Sequence, residues 1–560
     1  MTGWNAAVGR IANPSTRRGG HIRTVASADV DSLDPARTYY VWSWLLQRTM
    51  HRTLMAFGTD PAAPGVVPDL AEAPGAVSRS GLTWTYRIRS GARFETGEEI
   101  TAYDIKYAME RVFAQDTLPG GPTYLLDLLD HGGYRGPYRD GADGLKAVEC
   151  PDERTLVLRL RRPFADFDHL MAQPNTAPVP RLRDNREAYG SAPVCSGPYR
   201  IRSYEPGRSL HLVRNPRWDP ASDPVRSALP TELTVAFGIE VNELDDRLLA
   251  GEFHLDVEGR GIQHAGRDRI LADPRLRGRA DNPATGFLQY ITVQQAVPPF
   301  GDVHARRAVF HAADKAALLE ARGGAGVGGA LATSLIPPTL PAHTGSDRYP
   351  SGADLSGDLD AARAELAAAG LPGGFRTAIG TQPGKFELVA RTLAASLARV
   401  GIEAEVKVLD TASYYRSGLG SPATVRELGL GLGVTDWGAD YPTEYGFLAP
   451  LVDGRQIKHG GGNFNFAELD DPQVNTLIDE AASEPDGQRR RVLWQRVEQA
   501  VTDHAVILPM AHDRTLHYRH PDLTNVYVHP AFGLYDIQAL GLVGDRADAP
   551  GRGDMGEGDA

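Results

Sequence analysis

The sequence lacks any hydrophobic run long enough to cross a membrane, and it has little cysteine. No stretch of its 560 residues approaches the roughly 18 apolar residues of a membrane-spanning helix, which argues against such a span. The two cysteines, Cys150 and Cys195, fit either one disulfide of an exported protein or two buried thiols. Residues 1–17 have neither the apolar core of a signal peptide nor a lipid-accepting cysteine. Either an export signal is missing from this chain or the protein stays inside the cell.

Negative charge outweighs positive charge in this chain, and the signatures of common enzymes are absent. The formal net charge is −12 at pH 7, so a concentrated basic surface for nucleic acid is not expected. The sequence contains no Gly-x-Ser-x-Gly, His-Glu-x-x-His or Walker A segment. We therefore predict no catalytic residues, no enzymatic activity and no nucleic-acid partner.

Two patterns that could indicate a cofactor or a metal lack the required context. Residues 324–329 have the GxGxxG spacing, but they follow a predicted helix where a dinucleotide site needs a strand, so a loop is the better interpretation. Five histidines near the C-terminus have neither zinc-site spacing nor a nearby cysteine. These are His504, His512, His517, His520 and His529. We predict neither a cofactor nor a metal.

The hydrophobic periodicity predicts alternating strands and helices in more than one domain. A chain of 560 residues exceeds what one core usually supports. Residues 82–88 alternate as a half-buried strand, and Thr101 with Asp104 forms a capping box for a helix. Apolar residues lie on one helical face over 305–319 and over 386–400, the latter leading into an alternating strand at 402–408. Such helix–strand units predict an α/β fold.

The most distinctive segment is Asp-Trp-Gly-Ala-Asp-Tyr-Pro-Thr at residues 436–443. It places two carboxylates beside two aromatic rings, ahead of a proline that ends regular structure. Rings next to an acid can strip water from a small cation, and this contact is selective because an unpaired buried charge costs several kcal/mol. For an isolated motif, a surface acid beside a core tryptophan is the alternative.

Further motifs follow one another in a recognisable order. They are the strand–loop–helix segment 86–111, Ser-Gly-Pro-Tyr at 196–199 with Arg-Asn-Pro at 214–216, and the segment 299–315 that begins Pro-Phe-Gly-Asp-Val. Together with residues 436–443 they resemble the family 5 extracytoplasmic solute receptors of ABC importers, the oligopeptide-binding proteins. The resemblance covers about residues 18–540. Receptors of this type also occur in actinobacterial antibiotic clusters, including that of clavulanic acid, and this chain could be one of those paralogues.

The resemblance implies a type II periplasmic-binding-protein fold, with two lobes around a cleft and a third, extra domain. Two strands, near 287–293 and 507–517, would cross between the lobes. The expected ranges are 18–53, 182–286 and 518–540 for a base lobe, 54–181 for the extra domain and 287–517 for the second lobe. Residues 1–17 are expected to form a flexible extension and residues 541–560 a disordered tail.

The resemblance also implies a ligand site centred on Asp440, which matches the position that holds the ligand ammonium group. Trp437 and Tyr441 would wall this pocket, and the backbone of Gly438 and Ala439 would pair with an extended ligand. The other candidates are Asp436, which would favour basic ligands unless it faces solvent, and Tyr39, Tyr40 and Trp42 of the base lobe, for which core packing is the alternative.

One position departs from the family pattern. Six residues before Asp440, where tripeptide binders have an arginine for the ligand carboxylate, this chain has Val434. A fixed carboxylate clamp is therefore not expected there.

Two functional hypotheses follow. The first is a monomeric receptor that binds a peptide or peptide-like molecule, closes, and delivers it to the transmembrane permease of an ABC transporter; its native form would be extracytoplasmic and anchored as a lipoprotein. The second is a biosynthesis-associated protein that uses the same cleft to bind or modify an antibiotic intermediate. The absence of a signal in this chain favours the second, and the absence of a nucleophile–base pair favours the first.

Overall fold

Three β-sheets covered by helices organise the protein. The computed structural model describes residues 3–61, 65–140, 144–411 and 413–544. The mixture of helices and sheets confirms the predicted α/β class. In the described part of the chain, no helix is both long and apolar enough to span a membrane. The names base lobe, extra domain and second lobe are kept below for the three predicted ranges.

The sheet of the base lobe has five strands, in the order Leu255–Asp256, His21–Val25, Glu232–Ala236, Ser209–Arg214 and Tyr199–Glu205. The strand His21–Val25 is parallel to both of its neighbours, and the next two pairs are antiparallel. Apolar residues alternate along these strands, so one face enters a hydrophobic core while the opposite face carries polar side chains.

The extra domain has a four-stranded antiparallel sheet, in the order Ala76–Val77, Thr83–Arg87, Thr155–Arg159 and Val148–Asp152. The helix Ala102–Val112 begins at the predicted capping box, where the Asp104 carboxylate accepts a hydrogen bond from the Thr101 backbone N–H (2.8 Å). The inward side of this helix packs in the same core as Trp84 and Tyr86 of the sheet.

The second lobe contains a six-stranded sheet built around the two crossing strands. Its order is Ala330–Leu331, Ile507–Arg514, Ala284–Val293, Leu430–Gly438, Arg376–Thr381 and Glu403–Val408. The crossing strands Ala284–Val293 and Ile507–Arg514 pair antiparallel with each other. The strand Leu430–Gly438 pairs with Ala284–Val293 as far as Phe287 opposite Gly438. This register delivers residues 439–443 directly beside the crossing strands.

Helices fill the space around these sheets. The α-helices are Val41–Met50, Ala102–Val112, Tyr124–Leu128, Phe167–Leu170, Val241–Ala250, His264–Ala272, Pro274–Arg277, Val303–Ala312, Lys315–Arg322, Leu359–Ala368, Lys385–Ala398, Pro422–Leu428, Glu444–Val452, Pro472–Ser483 and Gly487–Asp503. The short strands outside the three sheets are Met55–Phe57, Val66–Pro68, Ala280–Asp281, His517–Tyr518, Leu523–Thr524, Val528–His529, Leu534–Tyr535 and Gly541–Leu542.

The described residues near the two chain ends are more ordered than the sequence suggested. Ala7 is fully buried and its N–H donates to Asp281 (2.9 Å), while Ala12 pairs with Val526. The prediction of a flexible extension is therefore wrong for residues 3–17, because small apolar side chains seat this segment on the base lobe. At the other end, Gly541–Leu542 pairs with Leu523–Thr524, so the predicted disordered tail does not begin at 541. The rest of that tail, residues 545–560, lies outside the described residues.

Two further expectations are refined. The helical face at 305–319 belongs to two helices, Val303–Ala312 and Lys315–Arg322, because Asp314 caps the second by accepting from the Ala317 N–H (2.8 Å). Of the two alternatives for the cysteines, the structure has the free thiols. Cys195 is buried, and burial raises the pKa of the half-buried Cys150 thiol to about 11.

Candidate ligand-binding site

A cavity of about 780 Å³ is lined by residues from all three predicted ranges. The base lobe contributes Tyr39, the extra domain Tyr124, and the second lobe Trp437 and Asp440. The lining also includes six other charged residues: Asp127, Arg161, Arg162, Asp453, Arg455 and Lys458. Of the predicted site residues, the structure thus brings Tyr39, Trp437 and Asp440 together.

Asp440 is held by two tyrosines from the other domains. Its Oδ2 accepts hydrogen bonds from the Tyr39 hydroxyl (2.8 Å) and from the Tyr124 hydroxyl. Burial raises the pKa of the Asp440 carboxyl. The two hydrogen bonds and the charge of Lys458 act in the opposite direction and lower it. Among the described residues, no basic side chain lies within ion-pair distance of Asp440. A cation bound directly to the carboxylate would add to the charge of Lys458 and stabilise the ionised form of Asp440.

Trp437 and Tyr441 have different surroundings. The Trp437 indole N–H donates to the Phe447 carbonyl (2.9 Å), and its ring stacks at a tilt 4.9 Å from that of Phe464, which also lines the cavity. Tyr441 is only 1% exposed and lies behind the cavity, where its ring meets the edge of Tyr124 at 5.2 Å. It positions Tyr124 instead of forming the wall that the sequence suggested.

Gly438 and Ala439 lie at the end of the strand Leu430–Gly438. Pairing of this strand with Arg376–Thr381 stops at Gly433, so in the described chain residues 435–438 have a strand partner on one side only. Gly438 has no room for a larger side chain, because an added Cβ would lie 2.6 Å from the Phe287 ring. A ligand backbone could pair with the open edge.

Tyr40 and Trp42 do not line this cavity. Trp42 takes the alternative role, core packing: it is 6% exposed and its ring lies 6.4 Å from Phe237 in the base-lobe core. Tyr40 precedes the helix Val41–Met50 and is 53% exposed.

Asp436 is enclosed, in contrast to the solvent-facing possibility. Its Oδ1 accepts from the Tyr415 hydroxyl (2.9 Å), and burial raises the pKa of its carboxyl, while Tyr415 and Arg322 act in the opposite direction. Burial also raises the pKa of Asp513 to about 6. The charge of Asp436 raises this pKa further, and the charge of Arg322 lowers it. Asp436 therefore belongs to a charged group that includes Arg322 and Asp513.

This group borders a second cavity, of about 490 Å³, between the base and second lobes. Its cations are Arg260 and Arg267 from the base lobe and Arg322, Lys385 and Arg514 from the second lobe. Burial lowers the pKa of Lys385, and the nearby charge of Arg322 lowers it further. A bound anion would relieve this repulsion.

Val434, the position at which tripeptide binders have an arginine, is fully buried in the core of the second lobe and does not line either cavity.

Tyr124 and the basic cavity have no recognisable signal in the sequence. Tyr124 is 316 positions from Asp440, and no local spacing links them. The five cations of the basic cavity come from four separate segments. A dense basic motif would have been a signal, but these five residues are not part of one.

Comparisons with known proteins bear on the family and the fold. Residues 65–459 match the model of the bacterial extracellular solute-binding proteins, family 5 (middle region). The structure is similar to that of a clavulanic acid biosynthesis oligopeptide binding protein 2, with 62% identity and a TM-score of 0.95 over 97% of this chain and 98% of that one. Heme-binding protein A of Haemophilus influenzae is 24% identical over 80% of this chain and 79% of its own length. DppA of Helicobacter pylori, in complex with the peptide STSA, shares the fold, with 19% identity and a TM-score of 0.71 over 94% of this chain and 99% of that one.

Proposed function

Because the chain belongs to the family 5 bacterial extracellular solute-binding proteins, we propose that its cleft receives a peptide or peptide-like solute for delivery to the permease of an ABC transporter. The solute leaves the protein chemically unchanged. We further propose that the protein acts as a monomer, outside the cytoplasm, and is held at the membrane by a lipid anchor in its native form.

The observation that carries this proposal is the state of Asp440. A half-buried carboxylate that accepts from two tyrosines and, among the described residues, forms no ion pair is stabilised when a counter-charge arrives. The ammonium group of a peptide is such a charge, and its N–H donors can bond to the carboxylate of Asp440. Two of the similar proteins are named or described as peptide binders, which supports a peptide as the source of the ammonium group.

The second cavity suggests where the other end of the ligand lies. Asp436, four residues before Asp440, is close enough to Arg322 for its pKa to respond to that charge. Four extended residues cover about 13 Å. We therefore place the ligand ammonium at Asp440, its backbone along residues 435–438 and its carboxylate at Arg322 and Lys385. A peptide of about four residues has this length.

The 62% identity with a protein named for clavulanic acid biosynthesis favours a second candidate function. In that case the same cleft would serve an antibiotic-producing pathway by carrying a peptide-like compound. The two candidates share the binding chemistry and differ in the compound that is carried. Native mass spectrometry of the protein purified from its own producer cells would distinguish them by the mass of the ligand.

Calorimetry with four matched tetrapeptides tests the proposed function. The peptides have free ends, an acetylated N-terminus, an amidated C-terminus, or both modifications. Acetylation should weaken binding to the wild type by about 30-fold or more, because losing one partner of a buried charge pair costs about 2–5 kcal/mol. In Asp440→Asn, acetylation should add little further loss. Amidation should weaken binding to the wild type but have little further effect in Lys385→Met.

Asp246→Asn is the matched control, since Asp246 is 71% exposed and pairs with Arg269 on the surface. It should bind all four peptides like the wild type. If Asp440→Asn still discriminates fully between free and acetylated peptides, the ammonium site is elsewhere. Chromatography of the recovered peptide should show no new product, and turnover would contradict the receptor hypothesis.

A further inference from the structure

Three metal-ligating side chains lie together on the outer face of the base-lobe sheet, away from the ligand cleft. His21 is directly opposite Glu232 in the parallel pair of strands, and His211 is opposite Thr234 in the neighbouring antiparallel pair. Their neighbours Ile22, Leu212 and Leu233 point into the core. Because side chains alternate along a strand, the pleat places His21, His211 and Glu232 on the same polar face.

The ligand atoms of these three residues are close to each other. One nitrogen of each histidine and one oxygen of Glu232 all lie within 4.8 Å of one another. His211 Nε2 is 2.8 Å from Glu232 Oε2, and the two imidazole rings are nearly parallel, with centroids 5.9 Å apart. Ligand atoms on one tetrahedral zinc ion are about 3.4 Å apart, given metal–ligand bonds of about 2.1 Å. Small rotations of the side chains would reach this geometry.

The positions of the side chains are restrained but accessible. The Thr234 hydroxyl lies 2.6 Å from His21 Nε2 and holds the orientation of that ring. Outer hydrogen bonds of this kind commonly orient a metal-ligating histidine. His211 and Glu232 are 24% and 35% exposed, so an ion can reach them from solvent.

We propose that this group, formed by His21, His211 and Glu232, binds one divalent transition-metal ion of the Zn²⁺ class. Two imidazoles and a carboxylate suit zinc, and three protein ligands leave one coordination position for water or an external ligand. The ion would fasten three adjacent strands of the base lobe to each other. This site is separate from the five C-terminal histidines considered in the sequence, which form no such group in the part of the chain that the structure describes.

The test is equilibrium dialysis of the untagged, metal-free full-length protein against ZnCl₂, with the bound metal quantified. The wild type should bind one equivalent. His211→Ala and Glu232→Gln should each bind at least tenfold more weakly, since each lacks one ligand. His459→Ala, which removes an exposed histidine outside the group, should bind like the wild type. Zn²⁺ should also raise the Tm of the wild type and of His459→Ala but not that of His211→Ala.

Glu232→Gln guards against a folding artefact, because glutamine keeps the size of the side chain and can still hydrogen-bond to His211. Circular dichroism of each variant confirms that it is folded. A wild type that binds less than half an equivalent, or variants that bind with unchanged affinity, would reduce the group to a surface ion pair and overturn the proposal.

Discussion

As the pH falls, Asp440 should stop binding a cation at a higher pH than an ordinary aspartate does. Only the ionised carboxylate attracts an ammonium group, and burial raises the pKa of Asp440, so protonation begins earlier as the pH falls. The hydrogen bond from Tyr124 acts against this shift. We therefore expect affinity for a peptide without ionisable side chains to fall from pH 7 towards pH 4, with a midpoint that moves to higher pH in Tyr124→Phe. Calorimetry across this range measures both midpoints.

Tyr103→Phe is the control for this titration. Tyr103 is 51% exposed on the helix Ala102–Val112 of the same domain, so removal of its hydroxyl should leave the midpoint unchanged. Equal midpoints for the wild type and Tyr124→Phe would show that this hydrogen bond does not stabilise the ionised carboxylate.

Individual site residues differ in how far the sequence predicts them. Asp440 and Trp437 can be singled out because they are neighbours in a short segment whose chemistry is visible as it stands. Tyr124 cannot, because its contact with Asp440 exists only after three domains have assembled. Trp42 was predicted as a cleft residue but packs in the base-lobe core. The sequence does not distinguish an aromatic residue that lines a cleft from one that fills a core.

At the scale of elements, the strand Leu430–Gly438 depends on small residues. A side chain at Gly431 would collide with the fully buried Phe300 ring and with the Thr377 hydroxyl. We expect Gly431→Ala to lower the free energy of unfolding by about 1–3 kcal/mol, the usual cost of overpacking a core. Urea unfolding measures the change, and peptide affinity should also fall because the strand carries Asp436 and leads to Asp440.

Gly460→Ala provides the comparison, since nothing lies within 4 Å of a Cβ added there. Its unfolding midpoint should match that of the wild type. If Gly431→Ala unfolds at the same urea concentration as Gly460→Ala, the strand has more room than the structure indicates.

Helices and strands can be predicted from the sequence where the hydrophobic periodicity continues over many residues and capping or glycine residues mark the ends. The helix Lys385–Ala398 and the strand Glu403–Val408 appear close to where the periodicity placed them. The break between Val303–Ala312 and Lys315–Arg322 escaped detection because apolar residues continue in phase across it, and only the cap at Asp314 separates the two helices. The ordered segment 3–17 was missed because its partners, Asp281 and Val526, are distant in sequence.

At the scale of the whole molecule, we expect the lobes to close when a ligand binds. The crossing strands Ala284–Val293 and Ile507–Arg514 pair with each other where the chain passes between the predicted lobes, and two such strands permit hinge motion. Small-angle scattering should show a smaller radius of gyration when a binding tetrapeptide is added, and no change with its acetylated form at the same concentration. An unchanged radius under conditions where calorimetry shows saturation would contradict closure.

One oxygen atom, Oδ2 of Asp440, links residues from the three predicted ranges of the chain. Tyr39 of the base lobe and Tyr124 of the extra domain both donate to Oδ2 of Asp440 in the second lobe, so moving the second lobe away from both of them must break both hydrogen bonds. Hydrogen bonds to a charged group contribute about 1.5–3 kcal/mol each, which is comparable to the gap between two conformations of a binding protein. A ligand ammonium therefore binds to the carboxylate whose hydrogen bonds already hold the cleft closed. The same group determines both ligand recognition and closure.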